Sequence, residues 1–274
     1  MEVPHFLKVF SYMYHLNRRN FKAYKEPVIT PQKDAIINNS IHWVGHATTV
    51  INLDGKIILT DPVIGNLGFI KRLVKPSIDI KEISVDYLLL THGHMDHLNN
   101  TALRDIDKNV IVIASRGLKT RLKMKGFKNI IVLKPGEIYK DSNIQLECIK
   151  AEHRGNRYPG IGFKDCNSYL ISNAIKRIFL SADTAYTNAY DGIKADVAIM
   201  PVGNYKPDDY LEMHCSPEQS FNMFKMMECN LMIPIHYKTY ILAQDEDLET
   251  VAILNRINDG SIRIIEIGET VILN

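Results

Sequence analysis

The sequence predicts an α/β fold (α+β in schemes that separate mixed sheets), built as one main domain of sheets flanked by helices. Three observations carry this. Short apolar runs rich in Ile, Val and Leu recur from residue 41 to the end of the chain. Fewer stretches with helix signals lie among them, an order that suits sheets covered by helices. Several of the apolar runs stop directly before His or Asp, and strand ends are where open α/β sheets present functional groups. The 274 residues are enough to bury a sizeable core, and 46% hydrophobic with 23% charged residues is ordinary globular composition.

Residues 1–40 read as a separate N-terminal arm. They are basic and aromatic, with Phe6, Phe10, Tyr12, Tyr14, Phe21 and Tyr24, and they end around Pro27 and Pro31. A short amphipathic helix followed by an extended segment is expected, packed on the domain or on a second subunit. Attachment to a membrane surface is the sharper alternative. From residue 41 the pattern turns to strands, at 41–44 and 48–53, with Asp54 and Gly55 as a hairpin turn into 56–60. That strand stops at Asp61 and Pro62. The compact run 85–90 ends at Thr91, and 110–114 is followed by a helix over 116–125. Further strands are expected at 130–133, 144–149, 168–172, 178–180, 197–200 and 231–235, and two more at 262–267 and 271–273. Between them, 217–229 reads as a helix: Ser216 suits the N-cap, Pro217 the first turn, and Phe221, Phe224 and Met227 share a face.

Composition also narrows the function classes. A formal net charge of +2 creates no global demand for nucleic acid. The basic residues Lys119, Arg121, Lys123, Lys125 and Lys128 read as a solvated helix face. Cys148, Cys166, Cys215 and Cys229 are scattered without a C-x-x-C pair, which argues against a disulfide framework or a Cys-rich zinc site and places the chain in a reducing cytoplasm. There is no secretory signal pattern, and no run of about 18 apolar residues to span a membrane. No G-x-S-x-G nucleophile motif occurs.

The chemistry concentrates after the run 85–90. His92, Gly93, His94, Met95, Asp96 and His97 follow Thr91. A strand alternates its side chains between faces and cannot aim all four ligand-type residues at one point, whereas a loop leaving the strand can. Imidazole nitrogens and carboxylate oxygens crowded this way suit divalent metal. Further groups stand after other apolar runs: His153, Asp183 and His236.

This H-x-H-x-D-H loop, followed in order by a lone His, an Asp and a final His, resembles the metallo-β-lactamase superfamily over residues 41–240. The resemblance implies a four-layer αββα sandwich, with residues 41–274 as its catalytic domain. It implies two divalent ions, zinc first, with manganese or iron as alternatives. His92, His94 and His153 would hold one ion, Asp96, His97 and His236 the other, and Asp183 would bridge both. Asp96 is also assigned to catalysis, and Asp61 would steady the ligands from behind. Trp43, Gly45, His46 and Thr48, then Asp61 and Pro62, then Pro201 to Pro207, His214 and Ser216 to Gln219 look like the branch containing N-acyl phosphatidylethanolamine phospholipase D, to which ascorbate-phosphate lactonases are related. From it His214 inherits a role with substrate or proton, and Tyr205 a place at the substrate. Arg154 and Arg157, beside His153, could pair with an anionic group. Arg154 departs from that branch, which usually carries Trp after the lone His. His46 is left without a role.

The expected activity is hydrolysis by a hydroxide shared between two ions, acting on a phosphodiester of a small-molecule or lipid-like anionic substrate. A lactonase or other ester hydrolase is the alternative, and an iron redox protein on the same fold is the alternative of another class. Homo-oligomerisation is compatible with the aromatic arm.

Overall fold

The computed structural model describes residues 5–158 and 162–273, with side chains from residue 11 onward. Two sheets form the centre. The first runs in the order β13-β1-β2-β3-β4-β5-β6, from β1 (Ser40–Gly45), β2 (Thr48–Leu53), β3 (Lys56–Thr60), β4 (Tyr87–Leu90), β5 (Ile111–Ala114), β6 (Asn129–Val132) and β13 (Thr270–Ile272). The second runs β12-β11-β10-β9-β8-β7, from β7 (Ile138–Lys140), β8 (Gln145–Lys150), β9 (Asn167–Ser172), β10 (Arg177–Leu180), β11 (Lys194–Pro201) and β12 (Glu228–Ile235). Each sheet has a parallel part, β3 to β6 and β10 to β12, so the C-terminal ends of these strands collect at one edge.

Burial follows the two-residue period of the strands. On β4, Tyr87 and Leu89 point between the sheets, with Trp43, Ile51, Tyr169 and Phe179, while Leu88 and Leu90 point outward. The outward pair is covered by α2 (Asn100–Arg104) and α3 (Lys119–Met124) through Ala102, Leu103 and Leu122. A strand buried on both faces reads as an unbroken apolar run, which explains the compact pattern at 85–90. The other sheet carries α4 (Pro217–Met226) and α5 (Asp247–Ile257), which bury Met223, Phe224 and Leu254. The result is the expected αββα layering.

The first hairpin turns as expected: Asp54 and Gly55 both take positive φ, 50° and 79°, the signature of a type I′ turn. The helix at Ser216 starts with a capping box, the Ser216 side chain accepting from the Gln219 backbone while Gln219 returns to the Ser216 N–H. It ends at Met226, three residues short of expectation, and Cys229 belongs to β12. The expected strand at 262–267 does not form. Only Ile262 bridges Met232, while Ile262, Ile265 and Ile267 are buried against the core. The apolar pattern there records burial without strand pairing. The arm is a 19-residue helix, α1 (His5–Ala23), longer than the short helix expected. No helix among the described residues is long and apolar enough to cross a membrane.

Candidate metal centre

The seven ligand-type residues come to one edge from four separate strand ends. His92, His94, Asp96 and His97 leave β4. His153 follows β8, Asp183 follows β10, and His236 follows β12. Their donor atoms form adjoining clusters. His92, His94 and His153 make one, and Asp96, His97 and His236 make another together with His46, in each case with all donor atoms within 4.8 Å of one another. Asp183 lies between them. Its Oδ2 is 3.1 Å from His97 Nε2 and 3.9 Å from His92 Nε2, and its Oδ1 is 3.1 Å from His236 Nε2. In the first cluster His153 Nε2 faces His94 Nδ1 at 3.1 Å.

His92, His97 and His153 face inward because their other ring nitrogens are tied down. Asp61, at φ +33° just past β3, accepts from the Thr91 backbone N–H at 2.8 Å and from the Thr91 hydroxyl at 2.5 Å. Its Oδ2 also lies 2.8 Å from His97 Nδ1, which leaves Nε2 of His97 for the cluster. Thr91 Oγ1 in turn lies 3.0 Å from His92 Nδ1. His153 Nδ1 donates to the Met213 carbonyl at 2.7 Å. Such partners fix the tautomer and aim of a metal-binding histidine. Asp61 has the supporting place read from the sequence. Thr91 and the Met213 carbonyl were not anticipated, and only the position of Thr91 against the H-x-H-x-D-H loop hinted at it.

The electrostatics are those of a centre built for cations. Burial raises the carboxyl of Asp183, but the charges of His236 and His97 outweigh it and hold the group well below the usual range. Asp96 behaves likewise, with His97, His236 and His46 overriding burial. Burial first, and the neighbouring histidines after it, push His92 down strongly and lower His153 to about 4. So the first cluster presents neutral imidazoles and the second an ionised Asp96, while Asp183 and Asp96 outweigh burial to hold His97 well above the usual histidine range and His236 at about 9, protons that a bound divalent ion would displace. Among the described residues, three buried atoms of this ligand set have no hydrogen-bond partner, His92 Nε2, Asp183 Oδ1 and His236 Nδ1, and the first two face the clusters. Buried polar atoms are normally satisfied. Two divalent ions would satisfy the two that face the clusters, so the residues present fit the metals.

The remaining sequence candidates divide. His214, between β11 and α4, is buried with Nδ1 3.8 Å from Asp183 Oδ2, and burial first of all lowers it to about 3. Arg154 is exposed next to His153. Arg157 donates to the Leu98 carbonyl at 2.8 Å and the Gly93 carbonyl at 3.5 Å, so its guanidinium clasps the ligand loop. Tyr205 is buried with its hydroxyl 3.3 Å from Thr250 Oγ1, turned toward α5. His46, which the sequence left without a role, reaches the second cluster.

With the edge, the order and the ligand set in place, the family comparison is decisive. The model of the beta-lactamase superfamily domain matches residues 56–237. The chain belongs to the beta-lactamase superfamily. Within this superfamily it is similar to N-acyl-phosphatidylethanolamine-hydrolyzing phospholipase D 1 of Caenorhabditis elegans, at 26% identity over 74% of this chain and 65% of the relative. The chain thus spans somewhat less than two thirds of that enzyme's length. A UPF0173 metal-dependent hydrolase of Flavobacterium johnsoniae is 28% identical over 73% of this chain and 85% of the relative. The crystal structure of an isothiocyanate hydrolase from Delia radicum gut bacteria superposes with a TM-score of 0.71 at 19% identity, covering 85% of this chain and 98% of that one, a likeness of fold. The protein is a metal-dependent hydrolase of the metallo-β-lactamase superfamily.

Proposed function

We propose that the protein hydrolyses a phosphodiester in a small or lipid-like anionic substrate, with two divalent ions, zinc first, held by His92, His94 and His153 on one side and Asp96, His97 and His236 on the other. The observation that carries the two-ion reading is Asp183, whose two oxygens face histidines of both clusters. Bound there, two divalent ions would supply Lewis acidity and a water nucleophile near neutral pH. The chain's own residues do the rest. Asp61 and Thr91 hold the histidines on target through the hydrogen bonds already described. His214, neutral because burial lowers it to about 3, offers a ring nitrogen for hydrogen bonding to the substrate beside the centre. Arg154, exposed at the rim, offers a guanidinium to an anionic group. Arg157 supports the reaction by keeping the ligand loop in place.

The diester, rather than another ester, is supported by the 26% identity to the phospholipase and by the resemblance to its branch at Trp43, His46, Asp61 and His214. The test is elemental analysis of the purified protein, followed by assay of the same sample on a phosphodiester, a phosphomonoester and a lactone. About two equivalents of zinc or manganese with diester cleavage is the expected result. In Asp183→Ala, both metal content and cleavage should fall to background; survival of both removes the assignment. Cleavage confined to the lactone would keep the centre and discard the diester. Iron alone, with no hydrolysis, would turn the reading to redox chemistry.

A further inference from the structure

His46 lies in the tight turn between β1 and β2, and its backbone takes φ +54°. A non-glycine residue in the left-handed region is costly and persists where the surroundings over-determine it. They do so here. The His46 N–H donates to Thr239 Oγ1 at 2.7 Å, and its carbonyl accepts from Trp43 Nε1 at 2.8 Å and from the His236 N–H at 3.2 Å. The turn is therefore fastened to the backbone of a metal-ligand residue, and the two imidazole rings lie with centroids 4.0 Å apart. The Tyr240 ring meets His46 edge-on at 5.2 Å on another side.

What this places is one atom. His46 Nε2 is 3.0 Å from Asp96 Oδ2, and that same oxygen is 3.5 Å from His236 Nε2 and 3.6 Å from His97 Nε2. Asp96 is the most exposed member of its cluster, with a side chain 14% accessible against 1–2% for the three histidines. A carboxylate that is partly open to water and carried on a loop can rotate about its own bonds. A carboxylate oxygen has two lone-pair directions, so one can take an N–H while the other faces a cation.

We propose that His46 is a positioning residue of the second metal cluster: its Nε2–H donates to Asp96 Oδ2 and fixes the carboxylate's rotation, so that this oxygen faces His97 and His236. The proposal rests on the two-ion reading above and assigns His46 no contact with the ion. Supporting partners of metal ligands typically alter metal affinity by about 10–100-fold.

Two amides separate the alternatives. Asn tolerates the left-handed backbone but places its nitrogen near the Nδ1 position of histidine, short of Asp96. Gln places its amide nitrogen near the Nε2 position and keeps a donor there. Zinc is titrated into metal-free protein against a chromophoric chelator, with folding of each variant checked by circular dichroism. Wild type should bind two equivalents. His46→Asn should weaken the second by about 10–100-fold and leave the first unchanged, and His46→Gln should recover most of the loss. Wild-type binding in His46→Asn overturns the proposal. So does a His46→Gln defect as deep as that of Asp96→Ala, which would make His46 a direct ligand. A wild type that takes up a single equivalent removes the two-ion reading itself, and the role of His46 with it.

Discussion

His42 shows how a buried histidine outside the centre carries a measurable signature. Its Nδ1 lies 2.8 Å from Thr270 Oγ1 and its Nε2 2.8 Å from Ser77 Oγ, and burial lowers it to about 4. The unfolded chain binds this proton near pH 6.5, so the folded state's advantage is complete above that value. It is lost as pH falls from about 6.5 through about 4. His42→Asn should flatten the dependence of the unfolding midpoint on pH across that window, read by chemical denaturation at stepped pH. Gly155 gives a second test at this scale. A β-carbon there would sit 2.6 Å from His92 Cβ and 2.5 Å from the Asp165 carbonyl. Gly155→Ala should destabilise the protein by about 1–3 kcal/mol and reduce its metal content, because the crowding falls on a ligand. The convergence of the candidate ligands was legible in the sequence, since they stand just past apolar runs. The aim of Arg157 and Tyr205 was not: both are long side chains whose direction is set by partners far away in sequence, Leu98 and Thr250.

Among the elements, α1 is the one whose function is written in its contacts. Tyr12 donates to the Leu242 carbonyl at 3.1 Å, Asn20 to Ile241 at 3.0 Å, and Arg19 to Ala243 at 2.6 Å and Asp245 at 3.2 Å. The helix thus satisfies the carbonyls of the loop that follows His236, and Lys71 caps its last turn by donating to the Ala23 carbonyl at 2.9 Å. A cavity of about 110 Å³ lies at this junction, lined by Arg19 on one side and His236 on the other. Asn20→Ala should cost about 1–3 kcal/mol, because it strands the Ile241 carbonyl, and should speed amide hydrogen exchange in residues 237–246. From the sequence, an aromatic and basic arm was visible but its partner was not. The same limit hid α5, whose first turn carries a fully solvated Leu248 and which buries only Thr250 and Leu254. So weak an apolar stripe gives no helical period to read. The failed strand at 262–267 is the converse case, where a strong apolar pattern served burial alone.

At the scale of the whole molecule, the two sheets come from successive halves of the chain, apart from β13, and the centre takes ligands from both. His92, His94, Asp96 and His97 belong to the first half, and His153, Asp183 and His236 to the second. An ion held by both halves binds the folded state and not the unfolded one, so it stabilises by mass action, about 2.7 kcal/mol at a free concentration 100-fold above its Kd. Stripping metal with a chelator should therefore lower the thermal midpoint, and Asp183→Ala should unfold at the same temperature with and without zinc. The layered architecture was legible because buried parallel strands leave unbroken apolar runs. The pairing of β13 with β1 was not, because three residues at the far end of the chain carry no mark of their partner.

That pairing has a consequence for synthesis on the ribosome. β1 is among the first strands to emerge, yet its outer edge stays open until Thr270, Val271 and Ile272 arrive to pair with His42, Ile41 and Ser40. Until then the nascent chain carries the unpaired edge of a strand whose residues are all buried in the folded protein. Chains stalled before residues 270–272 have left the ribosome should engage holdase chaperones or co-aggregate, and release should follow once those three residues are free to pair.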